Sequence, residues 1–318
     1  MFLLSLQQVA ILLVFILLGY FLQKKHVITD SGKKVLAGLL VNLFAPAYSI
    51  VSLSTQLSIE NISKYITYIL AGIIVSVVLI FAVMPVSRLL GKDKFQRNLL
   101  NYALAFGNIG YFGYPVVGAV FGAEARAMMI LFCLPMTVCI YTYGYAILTN
   151  DIDNKQLTSK IPFYKKLRFL WSPPFVSCLL GILLGLLPFS LPAFFTDTLT
   201  IAANCQSAPA MLLTGASLAS VPFLKLFTSW KPYVVGLLRL IIIPFVFGAI
   251  LYICGIRNMI FMLSVISVAM PVGMNVVVYP EYAGKDGTEG AKMCFISYIL
   301  ALGAIPLLFT IVQNLMIV

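Results

Sequence analysis

Ten long apolar stretches dominate this chain, at 3–22, 34–54, 65–88, 98–121, 126–148, 173–190, 198–221, 232–254, 258–282 and 292–315. An α-helix needs about 20 apolar residues to cross the hydrocarbon core of a bilayer, so each stretch has roughly the length of one crossing. Of the 318 residues, 61% are hydrophobic and 10% charged, whereas an ordinary soluble domain is about one quarter charged. So much apolar surface requires lipid as its solvent. Inside lipid the backbone must satisfy its own hydrogen bonds, which leaves helices or a closed barrel. Barrel strands alternate polar and apolar residues over ~10 positions, and these stretches are continuously apolar for longer. The expected fold is an all-α integral membrane protein with ten transmembrane helices.

The net charge is +11, but the basic residues sit between the apolar runs, which argues against nucleic acid as a partner. Seventeen of the 21 Lys and Arg residues fall in alternate connections, within 24–34, 88–97, 155–168, 225–231 and 285–292. Lys64, Arg126 and Arg257 occupy the others, and Arg239 lies inside a span. Basic connections stay cytoplasmic, so both termini are expected outside the cell membrane. The first run is followed, not preceded, by its charges, Lys24 and Lys25. It reads as a retained span rather than a cleaved leader. The six cysteines lie in or beside apolar runs with no C-x-x-C pair, the pattern of small buried hydrophobes and not of a metal or disulfide framework.

One polar linker, 149–172, separates a first block, 1–148, from a second, 173–318, each holding five apolar runs. The blocks resemble each other. ILLG occurs at Ile16–Gly19 and again at Ile182–Gly185, and APA at Ala45–Ala47 and Ala208–Ala210. Gly72 pairs with Gly236, Asn98 with Asn258, and Gly122 with Gly284, all at a nearly constant offset. Five is an odd number, so the second block enters the membrane from the opposite side. That is an inverted repeat, a frequent transporter construction.

The fourth run of each block is the place to look for a site. The first contains GNIGYFGYP, Gly107 to Pro115, and the second MPVGMNVVVYP, Met270 to Pro280. Glycine and proline at this density break helices, and paired broken spans in two halves point to a solute site. Helix N-termini at such breaks favour anions. The candidate binding residues are Asn108, Gly110, Gly113 and Pro115 in the first break and Pro271, Gly273 and Asn275 in the second. Each asparagine offers a donor and an acceptor without burying a charge; each could instead cap a broken helix. Supporting candidates come from the second runs: Asn42 with Pro46, and Asn204 with Ser207 and Pro209. These asparagines either repair a proline kink or form a wall of the site. Arg239 either serves the function or extends its side chain to the interface.

The motifs VNLFAPAYSI, GNIGYFGYP and MPVGMNVVVYPEYAG, in a five-plus-five order, resemble the auxin efflux carrier family in a short form without a long central loop. The resemblance covers essentially the whole chain. It implies a bile acid/sodium symporter-like fold in which the broken fourth and ninth helices cross. It also implies a dimer and elevator-type movement of a transport domain against a scaffold. Asn108 and Asn275, with backbone near Pro115 and Pro271, would then hold the carboxylate of a small organic anion such as malate or an auxin-like acid. The segment after Pro46, AYSIVSLS, departs from the family pattern in offering no acidic residue, which puts proton coupling there in doubt. A sodium-coupled symporter of the bile-acid type is the alternative. No nucleophile, metal set or polar cluster suggests an enzyme, and no cofactor or metal is expected; the partners are solute and membrane lipid.

Overall fold

The computed structural model describes residues 2–149, 171, 173–188, 192–282 and 285–316. The polar linker expected at 149–172 lies almost wholly outside the described residues. Those described are helical or in short connections, with one antiparallel main-chain pairing, Gly107 with Val272.

The first block contains α1 (Phe2–Lys24), α2 (Asp30–Ser54), α3 (Ile59–Leu90), α4 (Lys94–Ala105) and α5 (Ile109–Thr149). The second contains α6 (Pro173–Leu186), α7 (Ala193–Asn204), α8 (Ser207–Leu218), α9 (Lys231–Ile253), α10 (Met259–Val268), α11 (Asn275–Tyr282) and α12 (Thr288–Met316). All ten apolar runs are therefore helical. Among the described residues six helices, α1, α2, α3, α5, α9 and α12, are long and apolar enough to cross a membrane. The remaining runs are built from shorter pieces because their sequences interrupt them. Gly122 has φ +92° and turns the chain within α5, dividing it into limbs 109–121 and 123–149.

Proline explains several interruptions. A helical proline cannot donate to the carbonyl four residues back. Three of the four π-helical turns, Leu40–Phe44, Ile109–Gly113 and Leu238–Ile242, are each followed two residues later by proline: Pro46, Pro115 and Pro244. The wider turn takes up the mismatch and lets the helix continue. Pro209 instead coincides with a full break, between Asn204 and Ser207.

The outer surface keeps its apolar character. Ile74, Phe81, Phe245 and Ile253 are 63%, 63%, 68% and 83% exposed, on helices whose other faces are buried. A water-facing helix would carry polar residues there; a lipid-facing one carries these.

Glycine sets the closest packing, in a pattern that recurs across the blocks. A methyl group on Gly19 of α1 would overlap the carbonyl of Leu212 in α8, and one on Gly215 of α8 would overlap the carbonyl of Ile16. Correspondingly, a Cβ on Gly185 of α6 would lie 2.9 Å from the Leu53 carbonyl of α2, and one on Gly181 would lie 3.1 Å from that of Ser49. The first helix of each block thus lies main chain against main chain on the second run of the other block. Gly72 of α3 abuts the Phe132 carbonyl in α5, and Gly236 of α9 abuts Leu300 in α12. Within each block, therefore, the third run packs through its matched glycine on the fifth.

Candidate functional site

The two broken runs meet where each is interrupted. α4 ends at Ala105, and Phe106 and Gly107 continue in extended conformation; α10 ends at Val268, and Pro271 and Val272 do likewise. The extended pieces pair antiparallel: the Asn108 N–H donates to the Pro271 carbonyl at 2.8 Å, and the Gly273 N–H to the Phe106 carbonyl at 3.1 Å. Main-chain groups released by the breaks thus satisfy one another, as burial at this depth requires. Glycine is needed here for space: a Cβ on Gly273 would sit 3.2 Å from the carbonyl oxygens of Phe106 and Gly107.

Each side of the crossover then restarts as a helix. Asn108, 5% exposed, caps the limb 109–121 by accepting from the Tyr111 N–H at 3.2 Å, and its Nδ2 donates to the Tyr298 hydroxyl at 2.6 Å. It therefore caps a helix while standing on the wall of a cavity. Asn275 begins α11, and its Nδ2 donates to the Tyr279 hydroxyl at 3.1 Å.

A cavity of about 120 Å³ opens at the crossover. Its wall includes Asn108, Gly110, Gly273 and Asn275, which the sequence placed in two breaks 167 positions apart. Gly113, Pro115 and Pro271 lie beside it without lining it: Pro271 supplies the carbonyl that pairs with Asn108, and Gly113 packs on Met270. Of the supporting candidates from the second runs, none lines the cavity. Asn42 is exposed and donates to the Gly38 carbonyl of its own helix at 2.8 Å; Asn204 is exposed at the end of α7; Pro46, Ser207 and Pro209 are half-buried. The second runs contribute through other residues: Ala45 and Ser49 from α2, and Gln206 from the break between α7 and α8. Among the described lining residues there is no Asp, Glu, Lys, Arg or His.

Arg239 does not reach for the interface; it is fully buried, and the interfacial reading of this residue is corrected. Its Nε donates to the Met270 carbonyl at 2.6 Å, and one terminal nitrogen donates to the carbonyls of Leu104 and, at 3.3 Å, Ala103. Ala103 and Leu104 lie in the last turn of α4, and Met270 lies two residues past the end of α10, so the guanidinium sits at the C-terminal ends of both helices, where partial negative charge gathers. The other terminal nitrogen is buried without a hydrogen-bond partner and lies where a Cβ on Gly107 would fall. Among the described residues no carboxylate pairs with Arg239. Helical phase explains why position alone misled: distance from a helix end does not say which face a residue occupies, and the interior of α9 is apolar on every side.

These features can be summed. Four helix ends meet at the crossover, each carrying roughly half an elementary charge. The two negative ends are covered by Arg239. The two positive ends, at Asn108 and Asn275, border the cavity. No basic side chain is among the described residues of the cavity wall.

A family model described as "Membrane transport protein" matches residues 4–309. An uncharacterized transporter of Methanothermobacter thermautotrophicus is 25% identical over 303 residues, covering 95% of this chain and 97% of that one. An uncharacterized transporter of Methanocaldococcus jannaschii is 25% identical over 321 residues, covering 96% and 98%.

Proposed function

The chain belongs to the membrane transport protein family, that of the auxin efflux carriers, and from that premise we propose that it carries small organic anions across the cell membrane through the cavity at its crossover. It is a multi-pass membrane transport protein and not an enzyme. One observation carries the anion reading: Arg239 neutralises the two negative helix ends and leaves the two positive ones at the cavity. A carboxylate there gains charge-assisted hydrogen bonds from main-chain N–H groups; a cation would be repelled.

In this proposal the ten runs are ten spans, arranged as two inverted five-helix repeats, 1–148 and 173–318, with both termini outside. The matched glycine contacts of the two blocks support it. Asn108 and Asn275 with their adjoining main chain hold the solute, and one helix bundle moves against the other to alternate access. The sodium-coupled alternative needs carbonyl oxygens free to bind a cation, and three candidates at the crossover already accept from Arg239, which weighs against it.

The test is thermal unfolding of detergent-purified protein against a panel of carboxylates, with and without Na⁺. A ligand that binds only the folded state raises the unfolding temperature. Stabilisation by a carboxylate, lost in Asn108→Ala and independent of Na⁺, supports the proposal. Stabilisation that requires Na⁺ returns the symporter reading, and stabilisation by cations alone refutes the anion assignment.

A further inference from the structure

One residue of the cavity wall has a buried polar atom that the protein leaves without a partner. Gln206 is 2% exposed, in the break between α7 and α8, and lines the cavity. Its Nε2 donates to the Gly110 carbonyl at 3.2 Å. A carbonyl can only accept, so this bond fixes which end of the amide is nitrogen. The amide oxygen, Oε1, is buried with no hydrogen-bond partner. Buried polar atoms are almost always paired, and one left over beside a cavity calls for a donor from whatever enters.

Other polar groups of the wall are committed elsewhere, and none donates to this oxygen. Asn108 uses its Nδ2 on Tyr298 and its Oδ1 on the Tyr111 N–H. Asn275 uses its Nδ2 on Tyr279, and the Thr137 hydroxyl donates to the Cys133 carbonyl at 3.0 Å. Three side chains of the wall thus already direct a donor at the protein itself.

We propose that Gln206 is a specificity-determining residue of this cavity, its Oε1 accepting a hydrogen bond from an O–H or N–H of the solute. The preferred solute is then a carboxylate that also carries a hydroxyl or N–H donor, and its analogue without that donor is discriminated against. The inference rests on the anion-transport reading for its carboxylate part and on Gln206 alone for its donor part.

A four-solute comparison on the full-length protein in detergent separates the two: malate against succinate, and malamide against succinamide, with binding measured by calorimetry. The expected result is roughly tenfold tighter binding of the hydroxylated member in each pair, the size of one well-made hydrogen bond to a buried acceptor. Gln206→Met has similar length and no acceptor. It should bring the hydroxyl preference, read as the ratio of malate to succinate affinity within the variant, to about unity. Equal affinity within both pairs in the wild type overturns the proposal, and this comparison stands even where the variant does not fold. A hydroxyl preference that survives in folded Gln206→Met also overturns it. Amides bound as tightly as acids, with the hydroxyl preference intact, support the role of Gln206 and overturn the anion reading. Failure of all four to bind overturns both.

Discussion

Replacing Arg239 by methionine removes the charge at the crossover and keeps much of the side-chain volume. The guanidinium satisfies three main-chain carbonyls, of Ala103, Leu104 and Met270. Hydrogen bonds to a charged group are worth about 1.5–3 kcal/mol each. Against their loss stands the relief of a buried charge, itself several kcal/mol. The carbonyls remain buried, however, and methionine offers no donor. The net expectation is the cost of breaking a buried charged arrangement from one side, about 3–5 kcal/mol. With an unfolding entropy near 2.1 cal/mol/K per residue over the whole chain, this lowers the unfolding temperature by on the order of 5 °C. A thiol-reactive dye measures it, since Cys133, Cys178 and Cys294 are buried and become reactive on unfolding. Arg239→Lys keeps the charge but donates from one compact centre; it should recover anion binding more fully than stability. An Arg239→Met protein that unfolds within 1 °C of wild type and binds carboxylates normally would refute both the structural and the electrostatic argument.

Other expectations follow from the same geometry. Asn108→Ala loses the cap on the limb 109–121 and the Tyr298 bond; uptake should be abolished, with about 1–2 kcal/mol lost in thermal unfolding. Tyr298→Phe removes that hydroxyl alone and should lower uptake without abolishing it, as read in proteoliposomes. Gly215→Ala places a methyl group on the Ile16 carbonyl, so α1 and α8 must part; a loss of 1–3 kcal/mol or more is expected in the dye assay. Gly107→Ala drives a methyl group onto Arg239 and should depress stability and carboxylate affinity together, as measured by calorimetry on the purified variant.

The breaks were legible in the sequence because glycine and proline act locally: Gly107, Pro271 and Gly273 disrupt a helix whatever surrounds them. That Asn108 and Asn275 share one place was expected from the paired breaks and the family resemblance, and both line the cavity. The faces of the unbroken runs were not legible. Runs that are apolar all round carry no helical phase, so nothing in the sequence told that Asn42 and Asn204 face outward while Ser49 and Gln206 face the cavity. Asn204 ends α7 and Gln206 lies in the break after it, so the direction of one side chain does not follow from the other. A motif centred on the asparagine therefore selects the wrong face. The signal that could have found Gln206 is its place, three residues before Pro209 in a run otherwise without long polar side chains. Arg239 was legible as unusual but not as buried, because its partners are carbonyls of α4 and α10, which no residue type announces.

The glycine seams between blocks have a mechanical consequence. Where main chain lies on main chain, as for α1 on α8 and α6 on α2, there is no layer of side chains to rearrange. Such a seam cannot slip by a fraction of a helical turn, because the next residue along brings a Cβ into a carbonyl. These helices must travel as welded pairs or not at all. The contact between the break at Gln206 and the limb beginning at Ile109 is different in kind: its polar link is one amide on one carbonyl, that of Gly110. In the proposed transport cycle, motion is thus channelled toward that seam, which a solute in the cavity would also touch.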